Sequence, residues 1–238
     1  MTLQAIRALA EGKAILLYDF DDREKETDLV IAAEFITPRI VYQMRKDAGG
    51  LICVAIDPLA CRRLGLPYFS DILMEAAGSG KTLPALELVS EKAGDIPYDV
   101  RSSFSLWVNH RKTYTGITDA DRSLTIRELA AITAESLKDS KIKFGDRFRS
   151  PGHVPLLRTA PGLLRDRRGQ TELSMVLAKA AGVIPATVVC EMLNGETGQA
   201  LSKGDAMSYA AANGLAFVEG RDVEALFRGT IISDQDSN

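Results

Sequence analysis

Residues 13–35 read KAILLYDFDDREKETDLVIAAEF, and this stretch decides how the chain is to be understood. Residues 13–18 form an apolar run of strand length, and residues 29–35 are apolar again. The segment between them, residues 19–28, has no apolar periodicity apart from Phe20 and reads as a surface loop. Asp21, Asp22, Glu24, Glu26 and Asp28 put five carboxylates into eight residues of it. Charge of that density either faces water or is relieved by a hard cation. Mg²⁺ is usually held by one or two carboxylates together with waters and substrate oxygens. A loop suspended between two rigid strands is a frequent carrier of function.

Working outward, residues 3–11 read as a short opening helix. Thr37-Pro38 is a helix start, with a capping hydroxyl and proline at the first helical position. That helix ends near Gly49-Gly50, and residues 51–56 read as a buried strand. Helix pieces and turns fill residues 58–100. Residues 103–109 alternate, with Phe104, Leu106 and Val108 on one face and Ser103, Ser105, Trp107 and Asn109 on the other. Thr125-Ile-Arg-Glu128 has the form of a capping box opening a helix to about residue 137. Residues 154–158 look like a strand. Residues 171–181 read as a helix closed by Gly182, and residues 187–192 as an apolar strand. Ser202 and Gly214 bound a further helix, and a short strand and helix finish the chain.

Strands and helices mix without strict alternation, and no Pro/Gly-rich linker divides them. The expectation is one α/β (α+β-like) domain over residues 1–238, in three layers, with a mixed β-sheet flanked by helices. The 238 residues carry a formal net charge of −3 and no basic excess, which argues against nucleic acid as partner. No stretch approaches a membrane span or a secretory leader. Cys53, Cys61 and Cys190 form no CxxC pair, which fits a reducing compartment, so a soluble cytoplasmic protein is expected.

Further constellations could carry chemistry. Residues 167–172, Arg-Arg-Gly-Gln-Thr-Glu, run straight into a helix, whose free N–H groups and dipole make an anion site. Gly169 would let backbone approach a phosphate, and Arg167 or Arg168 would add bidentate contacts. A basic turn paired with nearby carboxylates is the competing reading. His153, one of two histidines, follows Pro151-Gly152 and reads as a turn residue able to shuttle protons near neutral pH. Residues 109–116 leave the alternating strand with hydroxyls, basic groups and a glycine, which suit a sugar or phosphate or simply a polar loop. Glu191 ends an apolar strand, where partial desolvation favours a basic carboxylate.

These segments, taken in order along the chain, resemble the 3,4-dihydroxy-2-butanone 4-phosphate synthases. The resemblance rests on D-R-E-x-E-x-D (22–28), G-G-L-I-C (49–53), N-H-R-x-T-Y-T-G-I-T-D-x-D-R (109–122), F-R-S-P-G-H-V (148–154), R-x-G-x-T-E (167–172) and C-E-M (190–192). It covers residues 13–193, and the chain resembles the stand-alone enzymes and not the fusions with GTP cyclohydrolase II. The resemblance implies conversion of D-ribulose 5-phosphate to L-3,4-dihydroxy-2-butanone 4-phosphate and formate, with Mg²⁺ or Mn²⁺. It also implies a homodimer with sites at the subunit interface.

Glu24 matches the family's metal-binding glutamate, Arg23 and Asp28 match substrate contacts, and Glu26 lies on the same catalytic loop. Arg167, Gly169 and Thr171 match the phosphate turn, with Arg168 beside them. His153 and Glu191 match residues used for proton transfer. Thr113, Thr115 and Asp121 lie in the polar segment lining the site, and Cys53 matches a cysteine near it. Two positions depart from the family. Gln170 stands where a histidine metal ligand is usual, and Thr27 where glycine is frequent. The first departure motivates an alternative: a sugar-phosphate-binding homologue with impaired catalysis.

Overall fold

The computed structural model describes residues 1–78 and 85–235. Seven strands form one mixed sheet in the order β4-β5-β3-β6-β2-β1-β7. They are β1 (Ile15–Tyr18), β2 (Thr27–Ala32), β3 (Cys53–Ile56), β4 (Phe104–His110), β5 (Phe148–Arg158), β6 (Ala186–Glu191) and β7 (Ala216–Glu219). The opening stretch of sequence forms the central hairpin. β1 and β2 pair antiparallel from Ile15↔Val30 to Tyr18↔Thr27, and the acidic segment is the loop at their end. Every residue of both strands is buried, because helices cover both faces of the sheet.

Alternate side chains sort into two cores. Leu16, Leu29, Ile31, Val54, Leu156 and Val188 pack on one face beneath α2 (Pro38–Gln43), α3 (Pro58–Leu64), α6 (Asp119–Lys138) and α8 (Lys203–Asn213). Ile15, Leu17, Val30, Cys53, Leu157 and Val189 pack on the other beneath α1 (Thr2–Ala10), α7 (Gln170–Ala181) and α9 (Gly220–Gln235). The period of two along each strand therefore builds the expected three layers. Two further helices, α4 (Phe69–Gly78) and α5 (Ala85–Val89), follow α3. No helix among the described residues is long and apolar enough to cross a membrane.

Local signals hold where the cap itself is local. The Thr37 hydroxyl accepts from the Ile40 N–H, Ser202 caps α8, and Gly182 and Gly214 close their helices with positive φ. Three expectations need correction. The capping box at Thr125 is not a helix start: α6 begins six residues earlier, where Thr118 accepts from the Asp121 N–H. Thr125 is buried inside the helix, and its hydroxyl accepts from the His110 N–H instead. The alternation over residues 103–109 does not put Phe104, Leu106 and Val108 on one face. Irregular register between Phe104 and Trp107 sends Phe104 to the α7 side and leaves Leu106 and Val108 on the α6 side. Lastly, His153 is not on a turn between elements. β5 starts at Phe148, and residues 150–153 bulge between the Asn109↔Arg149 and Val108↔Val154 pairs.

Candidate active site

The end of the central hairpin, the start of β3, the end of β6 and the N-terminus of α7 surround a cavity of about 230 Å³. Cys53, Phe104, Leu157 and Val189 give it an apolar floor, and Glu24, Glu26, Asp28, Glu191, Arg167, Gln170 and Thr171 give it polar walls. Register explains the pairing of Asp28 with Glu191: they face each other across β2 and β6. Glu191 is held further by Leu51, whose N–H donates to its carboxylate at 2.8 Å. Gly50 is obligatory there, since a Cβ would run into the Glu191 side chain and carbonyl.

The acidic loop is not a free solvated loop. Asp19, itself buried, accepts from the backbone N–H groups of Glu24 and Glu26, both at 3.0 Å. This clamp turns Glu24 and Glu26 toward the cavity. Arg23 donates to Asp19 and to the Gln170 side-chain oxygen at 3.2 Å, and pairs with Glu24 at 3.0 Å. The Gln170 side-chain nitrogen donates to the Glu26 carbonyl at 3.5 Å. The acidic loop and the entrance of α7 are therefore stitched together.

Burial and mutual repulsion distort the carboxylates. Desolvation, then the Glu24 and Glu191 charges, lift Glu26 to about 6. Asp28, fully enclosed, is pushed well above the ordinary range by burial and by Glu191, Glu24 and Glu26. Its Oδ1 has no hydrogen-bond partner among the described residues. Glu24 is raised by burial against the opposing pull of Arg23 and Arg167. Burial, with the Glu191 and Asp28 charges adding to it, drives the Cys53 thiol well up, so it stays protonated.

Arg167 reaches the cavity wall, where Glu172 at 2.8 Å and Asp99 at 2.7 Å hold it. Asp99 also pairs with Arg23, so one carboxylate bridges two arginines. Arg168 turns the other way, over the Phe20 ring and toward Asp22 and Glu224, and does not line the cavity. Gly169 is the N-cap of α7. His153, Thr113, Thr115 and Asp121 lie elsewhere in the chain's own fold. His153 is exposed on β5, and β3 lies between that strand and β6, which carries Glu191. Thr113 donates to the His110 carbonyl, and Asp121 accepts from the N–H groups of Tyr114, Thr115 and Gly116. Asp19, Asp99 and Glu172 were not singled out from sequence. Only Glu172 had a local signal, five residues after Arg167.

A carboxylate-lined cavity with an arginine-bearing helix entrance at the strand ends of an α/β sheet defines an enzyme acting on a small anionic substrate. The family model for 3,4-dihydroxy-2-butanone 4-phosphate synthase matches residues 3–226, and the chain belongs to that family. The synthase of Methanosarcina mazei is 56% identical over 92% of this chain and 88% of its own length. That of Archaeoglobus fulgidus is 51% identical over 94% and 93%. Among solved structures, a synthase described in complex with two magnesium ions superposes with a TM-score of 0.73 at 28% identity, covering 95% of each chain. The two-domain synthase of A. baumannii gives 0.75 at 26% identity, covering 93% of this chain and 56% of that one. The protein is a lyase of riboflavin biosynthesis that converts D-ribulose 5-phosphate to L-3,4-dihydroxy-2-butanone 4-phosphate and formate. Nothing in these similarities supports the impaired-homologue alternative.

Proposed function

We propose that D-ribulose 5-phosphate binds in this cavity with its phosphate toward Arg167 and Thr171 and its ketose carbons over Glu24, Glu26, Asp28 and Glu191. The observation that carries the reading is the stitching of the acidic loop to the α7 entrance through Gln170. The first N–H groups of α7 and the Arg167 guanidinium suit a phosphate, and Asp99 between Arg23 and Arg167 marks where an anion is favoured.

The residues fit a hard divalent cation. All the donors are oxygens, several carboxylates crowd one small space, and Asp28 keeps an unpartnered oxygen. Glu24 and the Gln170 side-chain oxygen would hold Mg²⁺ or Mn²⁺, with Gln170 giving up its contact to Arg23. When bound, the cation polarises the substrate's oxygens as a Lewis acid. Glu26, lifted toward neutrality, is suited to take a proton beside the ketone and return it later. Glu191, anchored by Leu51 at the cavity's edge, is a second proton carrier. Cys53 supplies a neutral wall.

We read residues 1–238 as one domain and the working enzyme as a homodimer. The exposure of His153, and its separation from Glu191 within one chain, support a site shared across the subunit interface, with His153 of the partner subunit facing the cavity. Thr113, Thr115 and Asp121 would approach from the same side. The test is formate release from D-ribulose 5-phosphate with Mg²⁺, read against Gln170→His. Formate from neither protein overturns the assignment; formate from the wild-type protein supports it and leaves Gln170 as an adequate ligand.

A further inference from the structure

Asn109 is fully buried at the end of β4, and its amide makes two contacts with one residue on the neighbouring strand. The His153 backbone N–H donates to Asn109 Oδ1 at 2.9 Å. Asn109 Nδ2 lies 3.1 Å from His153 Nδ1 and 3.5 Å from the Thr115 carbonyl. The first contact fixes the orientation of the amide, because a backbone N–H can only donate, so the atom facing it is the oxygen. The NH₂ group then faces both the Thr115 carbonyl, which can only accept, and the imidazole Nδ1. An NH₂ group can only donate, so Nδ1 must present its lone pair. The neutral ring therefore carries its hydrogen on Nε2.

The polar segment after β4 has a use here that does not involve touching substrate. Asp121, in the first turn of α6, accepts from the Gly116 N–H at 2.8 Å and the Thr115 N–H at 3.2 Å, which folds residues 114–116 back over β4. That fold brings the Thr115 carbonyl to the Asn109 amide. Gly116 is required at its tip: it has φ of 95°, and a Cβ there would overlap the Asn109 amide. Asp121 thus holds the loop, the loop holds Asn109, and Asn109 holds His153.

We propose that Asn109 is a positioning residue that selects the Nε2–H tautomer of His153, so that His153 meets the substrate as a neutral hydrogen-bond donor at Nε2. This rests on the reading that His153 serves the reaction. The experiment separates the two ideas. With only two histidines in the chain, ¹⁵N-labelled imidazole spectra, recorded where the rings are neutral, resolve each tautomer. In the wild-type protein, His153 is expected to show a pyridine-like Nδ1 and a pyrrole-like Nε2. In Asn109→Asp, whose carboxylate can only accept, the two signals should exchange. Asn109→Leu should lower kcat at least tenfold with KM changed less than threefold. A protonated Nδ1 in the wild-type protein, unchanged signals in Asn109→Asp, or wild-type kcat in a folded Asn109→Leu overturns the proposal. Should Asn109→Leu not fold, the two spectra still decide it. Undiminished formate release by His153→Ala would instead sink the role of His153 and leave the tautomer result standing.

Discussion

Replacing Glu26 by glutamine should make the metal-free protein more stable at neutral pH while abolishing turnover. Glu26 contributes to the fold through its backbone: its N–H donates to Asp19 and its carbonyl accepts from Gln170, and both contacts survive the change. The carboxylate itself is lifted from 4.5 to about 6 by burial and by the Glu24 and Glu191 charges. A group whose folded value lies above its unfolded value holds its proton more tightly in the native state. Its contribution to stability is complete below pH 4.5 and is lost as the pH climbs through 6. The loss is roughly 2 kcal/mol at 1.36 kcal/mol per unit. Glu26 is only partly buried, so solvent screening reduces this to about 1 kcal/mol. Glutamine carries no charge and escapes the penalty. In EDTA at pH 7.5, Glu26→Gln should therefore melt about 2–4 °C above the wild-type protein. The gap should close as the pH falls toward 4.5, and Mg²⁺ at pH 7.5 should narrow it by quenching the repulsion in the wild-type cavity. Thermal unfolding followed by circular dichroism at the two pH values measures this directly. A destabilised Glu26→Gln at pH 7.5, or an increment independent of pH, would refute the electrostatic account of the cavity.

The proposed sharing of the site between two subunits makes a sharp prediction. Glu24→Ala and His153→Ala, each inactive alone, should regain activity when unfolded together and refolded as a mixture. Half the dimers would be mixed and each would hold one intact site, giving about a quarter of wild-type turnover; no recovery in a dimeric mixture would place both residues in the same chain's site. Asp99→Asn should release Arg23 and Arg167 from a competing carboxylate. Inorganic phosphate should then inhibit at severalfold lower concentration, a modest change because the two arginines keep Glu24 and Glu172 as partners. Equal or weaker phosphate inhibition in that variant would show that Asp99 organises the anion site and does not compete for it.

What the sequence made legible was local or periodic. The hairpin of residues 15–32 follows from two apolar runs around a polar break, and α7 from a basic turn leading into helix and ending at Gly182. Motif order brought Glu24, Glu26, Asp28, Cys53, Gln170, Thr171 and Glu191 into one reading, and the fold brings all seven to one cavity. Two of the contacts that were missed, those of Asp99 and Asn109, run to partners distant in sequence. Asp99 meets Arg23 across 76 positions and Asn109 meets His153 across 44. A lone aspartate or asparagine carries no periodic trace of such a partner, and the bulge that delivers His153 breaks the alternation that would have betrayed its strand.

The acidic loop shows why charge alone is a poor guide. Asp21 and Asp22 are exposed, the first accepting from the Tyr18 hydroxyl and the second lying beside Arg168, whereas Glu24, Glu26 and Asp28, only a few residues away, are turned inward and raised. The buried Asp19 makes the difference, because it spends its oxygens on the loop's own N–H groups and so folds one part of the segment over α7. Carboxylates forced together in this way destabilise the metal-free protein, and a bound cation removes that cost. The same arrangement that weakens the empty cavity therefore strengthens its hold on the ion.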